Sequence, residues 1–308
     1  MTKEIILDTD IGTDVDDAFA VALAARSPEL NVKAVTVVWG DVDLRARIAR
    51  KLLNLAGRED IPVAKGLGKP LTPGVEARMN GFEGKDFLEE SDVNLKIHEK
   101  SAVDLIIENI MESDDVIMVT IGPLTNFAAA IIKEPKIVKK ISEYVLMGGA
   151  INPPIIKGKT ISPRLETNLN SDPEATKIVL RSGIPTKMVV MDVTWRVLIG
   201  RNYLQRLRNA KTPLANALAD MLEVWLSLIG EYSEEIFGYK YVTAMHDPLA
   251  LSAIIDPRFL TFKEMHIELE TIDGILRTIP KTNLKPNMKV AVDVDVQGFL
   301  DFLMKRLL

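Results

Sequence analysis

The feature that most constrains this chain is an alternation of short apolar, β-branched runs with helical patterns. Glu4–Leu7, Val32–Val38, Val63–Lys65, Val116–Ile121, Tyr144–Met147 and Met188–Met191 have strand length and strand composition. Asp16–Ala25, Leu44–Leu55, Ala102–Met111, Pro123–Ile132 and Asp172–Arg181 fall between them with helical spacing. Strands covered on both faces read as continuous apolar runs, the pattern of a parallel sheet flanked by helices. The expected fold is therefore α/β, with a mainly parallel central sheet and helices on both faces. Further along, Pro213–Glu235 reads as a long helix and Asp247–Ile255 as another. Residues 262–294 read as a late antiparallel extension and Val296–Leu307 as a closing helix. The 308 residues contain no repeat, low-complexity segment or linker, so one domain over 1–308 is expected. Residues 66–99 and 151–163 are interrupted by Gly, Pro and charge and read as long loops beside a site.

Composition narrows the chemistry. The chain has no cysteine and only three histidines, which removes disulfides, thiol nucleophiles and Cys-ligated zinc. A metal site here must be built mainly from oxygen, which favours calcium or magnesium. The net charge of −5 supplies no basic field for nucleic acid. No apolar run approaches the roughly 20 residues needed to span a bilayer. The expectation is a cytoplasmic protein that binds neither nucleic acid nor membrane.

Against that background, Asp8, Asp10, Asp14, Asp16 and Asp17 stand within ten residues, just after the first strand. Ligands of open α/β sheets bind at this carboxyl edge. Like charges so close repel by roughly 1 to 4 kcal/mol per pair at 4 Å, depending on the effective dielectric. A cation would relieve this, although aspartates also cap helices, which would account for one or two of them. An EF-hand loop starting at Asp8 would need glycine and glutamate where Thr13 and Phe19 stand. A phosphatase of haloacid-dehalogenase type would use an Asp-x-Asp here, but it needs no Asp16-Asp17 pair. A two-magnesium phosphoryl-transfer site would want a Gly-rich phosphate loop, which is not apparent.

Three later motifs carry polar groups. Ile121-Gly122-Pro123-Leu124-Thr125-Asn126 leaves a strand and opens a helix, a turn that can expose the Ile121 carbonyl. In Glu166-Thr167-Asn168-Leu169-Asn170-Ser171-Asp172-Pro173, Glu166 and Asn168 would point the same way if the stretch is extended. His246-Asp247-Pro248-Leu249-Ala250 sets a histidine beside another acid at a helix start.

Together these motifs resemble the inosine–uridine-preferring nucleoside hydrolase family, in order and over essentially the whole chain. The family's Asp-x-Asp and Asp-Asp-Ala match Asp8, Asp10, Asp16, Asp17 and Ala18. Met147-Gly148-Gly149 and Pro286-Asn287…Val290-Ala291-Val292-Asp293 also fit. The resemblance implies a Rossmann-like α/β domain that hydrolyses ribonucleosides to ribose and free base. It implies one Ca²⁺ held by Asp10, Asp17, the Ile121 carbonyl and Asp247. Asp10 would also be general base towards a water on that ion. Asp16, Glu166 and Asn168 would hold the ribose, and His246 would act as leaving-group acid or line the base pocket. Retaining His246 favours the inosine/uridine or pyrimidine branches. Family members commonly form dimers or tetramers, so a homo-oligomer is expected.

The chain departs from the family pattern in several places. Ile11 replaces a frequent proline, and two extra residues, including Asp14, lie between Asp10 and Asp16. Asp41 stands for the usual asparagine, where a ribose or water contact is expected. Asn80 precedes Gly81 in place of a base-lining histidine. The asparagine that meets the 5′-hydroxyl falls at Lys159 or Thr160. Tyr232 and Tyr239 are candidates for packing on the base. The rival readings are the carboxylate-metal phosphatase and a calcium-stabilised nucleoside-binding protein.

Overall fold

The structure, a computed structural model, describes residues 2–153, 155–156 and 158–308, with the side chains of Ile156 and Lys159 also outside the description. The first part of the chain alternates strand and helix: β1 (Lys3–Thr9), α1 (Asp16–Arg26), β2 (Leu30–Val37), α2 (Val42–Leu55), β3 (Val63–Lys65), α3 (Ala102–Glu112), β4 (Val116–Thr120), α4 (Thr125–Lys133) and β5 (Ile141–Met147). A two-residue pair, β6 (Ile155–Ile156) and β7 (Lys159–Thr160), precedes α5 (Asn168–Ser171), α6 (Pro173–Leu180), β8 (Thr186–Val189) and α7 (Met191–Thr194). Then come β9 (Leu198–Gly200), α8 (Arg201–Ala210), α9 (Pro213–Phe237), β10 (Val242–Ala244) and α10 (His246–Ile255). The tail holds β11 (Leu260–Met265), β12 (Ile267–Ile272), β13 (Ile275–Pro280), β14 (Met288–Val294) and α11 (Val296–Leu307).

Eight strands form the central sheet, in the order β11-β14-β8-β5-β4-β1-β2-β3. All pair in parallel except β11, which runs against β14. Side chains alternate between two apolar layers, as the period of a strand requires. Ile5, Leu7, Val119 and Val145 enter one layer, beneath α1, α2, α10 and α11. Ile6, Met118, Tyr144 and Leu146 enter the other, beneath α3, α4 and α6. The chain proceeds from β1 outward to β3 and then returns to place β4 on the other side of β1. A crevice opens at such a reversal, at the carboxyl ends of the two strands.

Two helices have no polar face. From Asp16 to Ala25 every residue of α1 is buried, as is every residue of α10 from Asp247 to Ile254. A helix apolar all round belongs inside the protein. These two pack on each other and bring their N-termini to the crevice.

The expected α/β architecture is present, with three differences. The strand expected to reach Met191 ends at Val189, and Met191 opens the short α7. Residues 198–210, given no element from sequence, form β9 and α8; β9 is three residues long and pairs only with β10. In the tail, β11 is antiparallel as expected and β12–β13 form a separate hairpin through Asp273 and Gly274, both at positive φ. β14, however, inserts between β11 and β8 and runs parallel to β8.

Candidate active site

The floor of the site is the loop that leaves β1 and the first turn of α1. No aspartate caps α1: Val15 occupies the cap position and no side chain bonds the first turn. The capping account of the acid cluster therefore fails for this helix. α10 likewise starts after Met245 without a side-chain cap. Asp16 and Asp17 from one helix and Asp247 from the other converge, with a carboxylate oxygen of each within 4.8 Å of the others. The Asp247 N–H donates to Asp16 Oδ2 at 3.2 Å, and the Thr9 hydroxyl donates to Asp17 Oδ1.

This grouping is electrostatically costly on its own. Burial first, then the neighbouring carboxylates, raise Asp17 and Asp247 well above the usual range. Burial pushes Asp16 up to about 6. Asp10 is also raised by burial, with Arg45 opposing. Asp14 is exposed at the mouth of the same cavity, where Asp16 and Asp10 push the pKa of its carboxyl up. The positive ends of α1 and α10 offset part of this repulsion, each equivalent to roughly half a unit charge. The donors that converge are oxygens, with neither sulfur nor imidazole among the clustered ligands. The residues present therefore fit a hard divalent cation.

Asp10 reaches the floor because the facing position is glycine. A Cβ on Gly122 would lie 2.5 Å from Asp10 Oδ1 and 2.9 Å from its backbone nitrogen. The Ile121 carbonyl beside it accepts from Asn168 Nδ2 at 3.0 Å, which leaves one lone pair free. Asp8 lies below the cavity, where Thr36 and Asn126 both donate to its Oδ1, and burial pushes it up to about 7. It joins β1 to β2 and to the first turn of α4. Asp172 is a second brace: it accepts from the backbone of Leu71, Thr72 and Ala175 and from the hydroxyls of Thr72 and Thr125.

Glu166 and Asn168 both line the cavity, though not from an extended stretch. Glu166 ends a single 3₁₀ turn, Pro163–Leu165, and Asn168 begins α5. Glu166 accepts from Leu169 N–H and Asn170 Nδ2, each at 3.0 Å, and burial raises it. Asn170 in turn exchanges bonds with the Leu276 backbone and anchors the β12–β13 hairpin to the site.

Above this floor lies a cavity of about 390 Å³, within the range that holds a small organic ligand. Its upper wall is aromatic and apolar, including Ile229, Tyr232, Ile236 and Phe237 of α9. His246 faces in from the first residue of α10, with Nδ1 2.6 Å from the Thr194 hydroxyl and its ring edge-on to Trp195 at 5.2 Å. Burial holds its pKa down at about 4. Asn80 lines the rim, where Glu83 accepts its N–H at 2.7 Å and that of Gly81 at 2.8 Å.

Asp10, Asp16, Asp17, Asn80, Ile121, Glu166, Asn168, Tyr232, His246 and Asp247 thus line one cavity. Asp41 does not; its Oδ1 accepts from Leu44 N–H and caps α2. Tyr239 is exposed beyond the end of α9, outside the cavity lining. Thr160 is exposed on β7 and also outside it, and the Lys159 side chain is outside the described residues.

The sequence reading missed Arg45 and the tryptophans. Arg45 is 1% exposed and binds the carbonyls of Asp10, Ile11 and Trp39. One signal was available: Arg45 shares the buried stripe of α2 with Ile48, Ala49 and Leu52. All three tryptophans of the chain, Trp39, Trp195 and Trp225, line the cavity. Their rarity, with the aromatic wall a flat ligand needs, was the available clue.

Known proteins place this site in a family. The family model described as inosine-uridine preferring nucleoside hydrolase matches residues 5–301. The pyrimidine-specific ribonucleoside hydrolase RihA of Citrobacter koseri is 34% identical over 318 residues, covering 100% of this chain and 98% of that one. Among solved structures, a purine-preferring ribonucleoside hydrolase from Gardnerella vaginalis matches with a TM-score of 0.86 and 31% identity, covering 99% of this chain and 98% of that one. A plant nucleoside hydrolase matches with a TM-score of 0.85 and 28% identity, covering 100% and 99%. None of these similarities favours the phosphatase reading of the acid loop. With the family model spanning nearly its whole length, the chain belongs to the inosine-uridine preferring nucleoside hydrolase family.

Proposed function

We propose that this chain hydrolyses the N-glycosidic bond of ribonucleosides to ribose and free base, with calcium as its resident cation. The observation that carries this reading is the convergence of Asp16, Asp17 and Asp247 beside Asp10, beneath an aromatic-walled cavity of about 390 Å³. Asp10, Asp17, Asp247 and the Ile121 carbonyl would hold the ion. When bound, it supplies positive charge that acidifies water and orients hydroxyl groups. Asp16, with Oδ2 engaged by the Asp247 N–H, keeps Oδ1 for a ribose hydroxyl.

Asp10 accepts a proton as water oxygen bonds to the anomeric carbon. The carbon–nitrogen bond breaks and its electron pair leaves on the base. The sugar passes through an oxocarbenium-like state, which the surrounding carboxylates stabilise. Glu166 and Asn168, fixed by their own backbone contacts, orient the ribose. His246 presents Nε2 to the leaving base, because Nδ1 is taken by Thr194. Burial disfavours the imidazolium, so near neutral pH His246 is the uncharged ring, and with Nδ1 engaged by Thr194 it offers an Nε2–H hydrogen bond to the departing nitrogen, which takes its proton from water.

The aromatic wall offers stacking faces to either base class, and the similar proteins named above divide between pyrimidine and purine. Uridine, cytidine, inosine and adenosine, each assayed with and without chelator, test the proposal. Free base from at least one of them, lost on chelation and restored by calcium, is expected. Base release from none, alongside phosphate release from a nucleotide, overturns the reading.

A further inference from the structure

The loop between β1 and α1, residues 10–15, forms the floor of the cavity beside α1. It is also held by a group that the hydrolase reading does not use. The Arg45 guanidinium lies almost wholly inside the protein. One nitrogen donates to both the Asp10 and Ile11 carbonyls, the latter at 2.9 Å. Another meets the Thr13 hydroxyl at 3.3 Å, and Nε donates to the Trp39 carbonyl at 2.6 Å. Thr13 continues the chain to Glu83, which anchors the rim at Asn80 and Gly81.

The choice of partners is informative. A buried arginine beside clustered acids would ordinarily take a carboxylate in a bidentate pair. Here its hydrogen bonds run to carbonyls, a hydroxyl and the Met79 sulfur, and none to a carboxylate among the described residues. The carbonyls it takes would otherwise be buried acceptors without donors, a costly condition. Its charge still acts through space on Asp10 and Asp17. The loop's carboxylate oxygens therefore stay free for a cation while their repulsion is reduced.

We propose that Arg45 is a positioning residue: it fixes the Asp10 backbone by gripping the loop between β1 and α1 through the Asp10 and Ile11 carbonyls and the Thr13 hydroxyl. This rests on the hydrolase reading only for its kinetic arm; calcium binding and thermal unfolding test it independently.

The experiment compares wild type with Arg45→Met and Arg45→Lys. At saturating calcium, Arg45→Met should lower kcat on the best nucleoside by roughly 10- to 100-fold, the scale of a small misplacement of a reacting group. KM should stay within about threefold, because the hydrogen bonds of Arg45 run to the loop, to Trp39 and to Met79. Calorimetric titration of chelator-stripped protein with calcium alone should show Arg45→Met binding about tenfold more weakly. Coulomb attraction by itself predicts the opposite, since a positive charge has been removed. Tighter or unchanged calcium binding, or a kcat within twofold of wild type, overturns the positioning role.

Arg45→Lys keeps the charge but not the planar fork. It should retain most of the wild-type Tm and still lose kcat and calcium affinity; wild-type values for both overturn the proposal even if Arg45→Met fails to fold.

Discussion

Asp10 stands where three pieces of chain meet: the end of β1, the Gly122 turn before α4, and the Arg45 guanidinium from α2. Its proposed task as proton acceptor depends on the carboxylate alone, so Asp10→Asn should keep the fold and lose roughly 10²–10⁴-fold in kcat. Near-normal turnover of a folded variant would remove Asp10 from that role. His246 has a narrower assignment. His246→Ala should slow uridine or inosine far more than 4-nitrophenyl riboside, whose leaving group needs no proton. Equal losses on both would restrict His246 to positioning. The carboxylates were legible from sequence because they cluster along the chain and like charges demand an explanation. Arg45 was not, because its partners include the main-chain carbonyls of Asp10 and Ile11, thirty-five and thirty-four residues away, which no side-chain pattern records. Asp41 misled for a related reason: at a helix start, a polar residue serves the backbone as readily as a ligand.

Among the elements, the turn from β4 into α4 makes the most exacting demand. The crowding at Gly122 comes from Asp10 itself, so Gly122→Ala must push the carboxylate or its backbone aside. The expected result is a fall in kcat of roughly 10-fold or more, with a Tm close to that of wild type. A variant whose Tm collapses while the surviving folded fraction keeps full kcat would place the constraint in folding instead. The parallel strands were legible because burial on both faces leaves an unbroken apolar run, as in Val116–Thr120, where every residue is buried. β9 and β10 were not, since each is three residues long and pairs only with the other. The direction of β14 was hidden too: its alternation marks a strand but says nothing about which neighbour it joins.

At the scale of the whole molecule, the proposed cation ties α1 near the start of the chain to α10 near its end, through Asp17 and Asp247. A ligand that binds only the folded state stabilises it by about 2.7 kcal/mol at a hundredfold excess over Kd. Chelation should therefore lower Tm by several degrees, and added calcium should restore it in a concentration-dependent way. A Tm indifferent to both would mean that the carboxylates hold no ion in the folded protein. That the two ends of the chain meet at one charged centre was only partly legible: the motifs were visible separately, but their approach depends on two wholly buried helices lying side by side. The same separation matters at the ribosome. Asp16 and Asp247 are 231 positions apart, so at roughly 5–20 residues per second the nascent acidic loop waits on the order of ten seconds to a minute for its counterpart to be made. Throughout that interval the N-terminal half carries a half-built, self-repelling pocket, and any product that terminates before α10 would be a natural client for chaperones and proteases.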